Sequence, residues 1–154
     1  MRKAAAATAG AVALAAVSAG GGYVFRIAES RGGNVAAFVN QYDDLRARGV
    51  PVRVDGVCNS SCTMVLGYSN ACLGPRAVLG FHPAYVPLYF FYILDWPDTR
   101  VMLAHYPPDA RAVINRHGRL DHDPGGAWDN SIGAYPKLFY VKGEEFPAHY
   151  QCGP

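Results

Sequence analysis

The chain carries little surplus of charge, formally +2, and no cluster of basic residues. Lys and Arg number 14 against 12 Asp and Glu, and without Arg2 and Lys3 the two signs balance. A neutral chain of this kind has no electrostatic footprint for nucleic acid, which is excluded as its main partner. Also missing is a run of roughly 20 strongly apolar residues, the length needed to span a bilayer. The longest candidate, Ala4 to Val17, is dominated by Ala and Gly. No internal repeat and no interdomain linker interrupts the sequence. A zinc-type ligand set is poorly served: Cys58-x3-Cys62 fits such a site loosely, the other cysteines are distant, and no His-x3–5-His follows.

What is present begins with a leader-like start. Met1-Arg2-Lys3 is a short positive region, Ala4 to Val17 is small and apolar, and Val17-Ser18-Ala19 offers a cleavage site before Gly20-Gly21-Gly22. Residues 1–19 therefore read as a signal peptide of the general secretory type, with a retained membrane anchor as the competing reading. Residues 23–154 suffice for one domain with a proper core. The cysteines Cys58, Cys62, Cys72 and Cys152 form an even set, as expected in an oxidising periplasmic or secreted setting. Two disulfides are favoured over a metal site, in any of three pairings, with Cys152 placed to staple the C-terminal tail.

Tyr23 to Ala28 is β-prone and runs into a turn at Glu29-Ser30-Arg31-Gly32-Gly33. Asn34 can cap a helix in which Val35, Phe38, Val39, Tyr42 and Leu45 recur at helical spacing, with Gly49 as the stop. Val50 to Val54 reads as a buried strand closed by Asp55-Gly56. A second helix begins at Ser60 or Ser61, and Cys72 to Phe81 forms another apolar strand, interrupted by Gly74-Pro75 and ending at His82. This alternation predicts an α/β fold with parallel strands and crossover helices. Gly32-Gly33, Ser60 and His82 then fall at strand ends, where functional residues of such sheets gather.

Further on, Tyr85 to Leu94 is too short for a bilayer and suits a core strand or packed loop better than an exposed patch. Two helical pieces, Asp98 to His105 and Pro108 to His117, are parted by Pro107-Pro108. Asp121 to Ser131 reads as a loop, Leu138 to Val141 as a late strand, and Gly143 onward as a short terminal helix.

The order of Ser30-Arg31-Gly32-Gly33, Tyr42-Asp43, Gly56-Val57-Cys58-Asn59-Ser60-Ser61-Cys62, and Cys72-Leu73-Gly74-Pro75 running to Leu79-Gly80-Phe81-His82 resembles the proteolytic subunit of Clp protease. Within the Clp/crotonase superfamily the chain is most similar to exported Clp-like proteins of bacteria, which carry a C-x-S-A-C-T element followed by L-G-F-H. The span from Ser30 to His82 carries the likeness strongly and the last half loosely. The family's opening strands have almost no room before Gly32, so the core looks shortened at its N-terminal edge.

The resemblance implies a serine hydrolase acting on a peptide or other acyl substrate, with no cofactor and no metal. Ser60 would be the nucleophile, with Ser61 as the swap candidate, and His82 the base. The N–H groups of Gly32, Gly33 and Ser61 would form the oxyanion hole. Asp129 stands where an orienting acid is expected, with Asp121 and Asp123 as neighbours in contention. Each role has a plainer competitor: Ser60 or Asn59 as a helix cap, His82 as a boundary residue, the glycines as an ordinary turn. A catalytically inactive binding or assembly module on the same fold is therefore the alternative reading. A crotonase-like acyl-CoA enzyme ranks third, since export removes it from its cofactor pool. Relatives form rings or trimers, so a homo-oligomer is implied by resemblance alone. Membrane association would follow only from a retained N-terminal segment.

Overall fold

A computed structural model describes residues 22–88, 91–120 and 138–153. The expected leader at residues 1–19 and the expected loop at 121–131 lie outside the described residues. The core is a five-stranded sheet ordered β1-β2-β4-β7, with β3 also beside β2. Strands β1 (Phe25–Ser30), β2 (Val52–Asn59), β3 (Ala71–Leu73) and β4 (Val78–Phe81) run parallel, while β7 (Phe139–Lys142) pairs antiparallel with β4. The fold is thus α/β with a mostly parallel sheet, as the strand–helix alternation predicts.

Helix α1 (Val35–Ala47) forms where the spacing places it. The Asn34 side chain accepts the Ala37 N–H at 2.9 Å, which satisfies one of the N–H groups that a helix start leaves open. Val35, Tyr42 and Leu45 are buried, with Phe38 and Val39 packed against the same core. Gly49, at φ +64°, leads the chain out.

Strand β2 continues past the expected stop at Asp55-Gly56. Its register against β1 shifts between Ile27 and Glu29, a bulge. At Gly56 the backbone lies so close to Ala28 that a Cβ would sit 2.0 Å from the Ala28 carbonyl oxygen. Glycine there serves close strand approach, not termination. The expected single strand from Cys72 to Phe81 is two strands. Gly74-Pro75-Arg76 separates β3, on residues 52–54 of β2, from β4, on residues 57–59.

Residues 85–88 and 91–94 pair antiparallel as a separate two-stranded sheet, the hairpin strands β5 (Tyr85–Leu88) and β6 (Phe91–Leu94). Val86 and Ile93 face each other across it, 45% and 50% exposed, so at these positions the segment is not the core strand expected. Helix α2 (Trp96–Ala104) starts two residues earlier than expected because Asp95 caps it, accepting the Asp98 N–H at 3.0 Å. Helix α3 (Pro108–His117) packs on β7. The terminal helix is a pair of short 3-10 turns, Gly143–Glu145 and Ala148–Tyr150.

Of the three possible pairings the disulfides adopt Cys58–Cys62 and Cys72–Cys152. The second staples the tail beside β3, where the Cys152 N–H also donates to the Leu73 carbonyl at 2.9 Å. Two disulfides suit an oxidising compartment, and no helix among the described residues is long and apolar enough to cross a membrane.

Because Cys72 and Cys152 lie 80 residues apart, closing that loop removes much entropy from the unfolded chain. Replacing both by Ala is expected to cost about 4 kcal/mol, read as a lower midpoint in urea unfolding.

Candidate functional site

Parallel pairing sends the carboxyl ends of β1, β2 and β4 to one rim. Each is followed there by one part of the expected site: Arg31-Gly32-Gly33 after β1, Ser60 after β2, and His82 after β4. All four of Gly32, Gly33, Ser60 and His82 line one cavity of about 410 Å³. Its wall is completed by Tyr85, Val86 and Pro87 of the hairpin and by Asp95 and Asp98 at the start of α2.

Ser60 is the turning point between β2 and a 3-10 helix, Ser60–Gly67. Its φ is +57°, the one positive value at a non-glycine residue among those described. A left-handed residue with a side chain costs roughly 1–3 kcal/mol and persists only where the surroundings enforce it. Here they do. The Cys58–Cys62 disulfide spans the elbow, and both cysteines are fully buried. The Thr63 hydroxyl donates to the Ser60 carbonyl at 2.6 Å. Its single hydrogen being so used, the Tyr106 hydroxyl, 2.7 Å away, must donate to it. Tyr42 reaches from α1 to donate to the Cys62 carbonyl at 2.9 Å.

The diglycine turn lies directly on this elbow. Gly32 has φ +80°, and a Cβ on it would come within 2.6 Å of both the Asn59 carbonyl oxygen and Ser60 Cβ. Neither the backbone conformation nor the space admits a side chain. Ser61 is fully buried, with its hydroxyl turned to Gly33: it accepts the Gly33 N–H at 2.9 Å and donates to the Gly33 carbonyl at 3.0 Å. Of the two serines, then, Ser60 lines the cavity and the Ser61 side chain is engaged elsewhere. The Gly33 N–H, expected in the oxyanion hole, is occupied by Ser61, and the Gly32 N–H makes a longer 3.3 Å bond to the Ser30 hydroxyl.

His82 is 5% exposed, with its ring tilted against Tyr85 at 5.2 Å between centroids. Nδ1 lies 2.6 Å from the Pro83 carbonyl oxygen. A carbonyl only accepts, so Nδ1 carries the proton and Nε2 of the neutral ring holds a free lone pair. Burial pushes the imidazole below its ordinary value of 6.5, partly opposed by the Pro83 bond, so the neutral, basic form prevails at pH 7. No hydrogen bond joins Ser60 to His82 among the described residues; empty sites are often looser than occupied ones.

Asp121, Asp123 and Asp129 lie outside the described residues. The atom an orienting acid would hold, His82 Nδ1, is held by a backbone carbonyl. Asp95 and Asp98, absent from the candidates read in the sequence, also stand on the cavity wall; their one sequence signal is Asp95-Trp96-Pro97-Asp98, a pattern that suits a helix start. Outside the cavity, His105 bonds the Val101 carbonyl at 2.8 Å. His117 and His149 pair with Glu145 and Asp109 at 2.7 and 3.0 Å. No protein-family model matches the chain, and no curated protein does.

Two outcomes follow from this geometry. Gly32→Ala is expected to lower stability by more than about 1 kcal/mol, measured by thermal unfolding. The His82 ring should titrate by NMR below 6.5. Since the unfolded state then binds the proton more readily, His82 contributes stability that is full above about pH 6.5 and lost as pH falls through the folded midpoint.

Proposed function

We propose that the chain is an exported serine hydrolase of the Clp/crotonase type, acting on a peptide or other acyl substrate. The observation that carries this reading is the convergence on one cavity of a left-handed serine at a strand-to-helix elbow, a neutral buried histidine and a diglycine turn. An elbow of this shape exposes a serine hydroxyl and leaves N–H groups of the first helical turn without internal partners.

In the proposed reaction Ser60 Oγ attacks the substrate carbonyl as His82 Nε2 takes its proton. The carbonyl oxygen becomes an oxyanion, received by the Gly32 N–H and the backbone N–H of Ser61. His82 returns the proton to the leaving group, giving an acyl-enzyme. Water, deprotonated by the same imidazole, then attacks the acyl carbon, and Ser60 leaves as its hydroxyl is restored. The Pro83 carbonyl holds the Nδ1–H tautomer that this sequence needs. A neutral carbonyl stabilises imidazolium less than a carboxylate does, so turnover is expected to be slow. The family likeness suggests self-association, and among the described residues no strand pairs with the outer edge of β1, which leaves a place for a further strand.

The second reading is a binding module that keeps the fold without the chemistry. It is favoured by the missing Ser60–His82 hydrogen bond and by the occupied Gly33 N–H.

A fluorophosphonate probe separates the two. Labelling is expected at Ser60, absent in Ser60→Ala, and about 100-fold slower in His82→Ala. Its rate should plateau above pH 6.5 and fall roughly tenfold per unit below the His82 midpoint, as protonation removes the base. Asp129→Asn should change it by less than about tenfold, against the roughly 10⁴ that an essential orienting carboxylate can supply. Folded protein that takes no label would sink the hydrolase reading in favour of the module.

A further inference from the structure

We infer that Ser61 is the positioning residue of this site, its hydroxyl clasping the backbone N–H and carbonyl of Gly33 and so fixing the diglycine turn over Ser60. The inference rests on the hydrolase reading and refines its oxyanion hole.

A buried hydroxyl with one donor and spare acceptor capacity can serve both backbone polar groups of one residue at once. Ser61 does so with Gly33, through 2.9 Å and 3.0 Å bonds across 28 residues of chain. Gly33 supplies no side chain to anchor itself, and its φ of +156° belongs to a region in which glycine is conformationally free. An unanchored diglycine turn would wander, yet Gly32 must sit close enough to Ser60 that a Cβ on it would lie 3.2 Å from Ser60 Oγ. Ser61 joins the two pieces because it follows Ser60 directly and is itself fully buried. Nucleophile and turn are thereby fixed by adjacent residues of one elbow.

The clasp also reassigns the donors. With its N–H held by Ser61, Gly33 does not face the developing oxyanion. The groups left to serve it are the Gly32 N–H, bound only by the longer 3.3 Å contact with Ser30, and the backbone N–H of Ser61. Preorganised donors give most of their benefit when they need not move during reaction, which is what the clasp provides.

The full chain tests this through two readouts. In Ser61→Ala the probe's maximal labelling rate should fall about 10- to 100-fold, the scale of a small misplacement of reacting groups. Its concentration for half-maximal rate should stay within about twofold, because the Ser61 side chain does not touch the ligand. Ser30→Ala, removing the longer contact, should lower the rate less than Ser61→Ala does. Hydrogen exchange at the Gly33 amide should be slow in wild type and faster in Ser61→Ala by at least about fivefold. Ser61→Ala labelling at or above the wild-type rate overturns the inference. So does unchanged Gly33 exchange in the folded variant, or a wild-type Gly33 amide that exchanges like a free peptide. If wild-type protein takes no label the hydrolase reading fails by itself, and Gly33 exchange still decides whether Ser61 holds the turn.

Discussion

The conformation of Ser60 is the constraint around which the rim is built. A serine has no intrinsic reason to adopt φ +57°, and the chain enforces it from several sides. A disulfide ties the residues two before and two after it. Thr63, backed by Tyr106, holds its carbonyl, and Tyr42 holds the carbonyl of Cys62 from α1. Each clamp is buried, and each belongs to a different part of the core. The elbow is thus coupled to the packing of the domain instead of resting on its own local sequence. That coupling explains why so much polar bonding converges on a stretch of five residues.

Histidine and serine contribute to the cavity in different physical ways. Ser60 is aimed by backbone conformation. His82 is aimed by a side chain–backbone bond to the residue that follows it, Pro83, and by the ring of Tyr85. Burial keeps the imidazole neutral, which suits a base, but also withholds stabilisation from imidazolium. The arrangement keeps the base unprotonated and ready, at the cost of weaker proton affinity.

Much of this was legible in the residues. The α1 periodicity, its Asn34 cap and its Gly49 exit are local, so composition and spacing suffice to find them. The parallel order of β1, β2 and β4 follows from strand–helix alternation, and with it the meeting of Gly32, Ser60 and His82 at one rim. Other features were hidden because they depend on what lies opposite. Gly56 looks like a terminator until the Ala28 carbonyl is seen beside it. The paired strands at residues 85–88 and 91–94 read as core in sequence because an apolar run does not state which partner covers it. A backbone carbonyl orienting His82 has no signature in sequence, since every residue carries one. Cysteine spacing left three pairings, and only proximity in space chose between them.

By itself, then, the order of residues determined the class of fold, the position of the elbow and the candidates for nucleophile and base, because these follow from short-range propensity and strand direction. Tertiary structure alone decided that Ser60 and not Ser61 opens to the cavity, that Ser61 binds Gly33, and which cysteines join. Those outcomes turn on contacts between segments far apart in the chain, and such contacts are fixed by packing rather than by any local pattern.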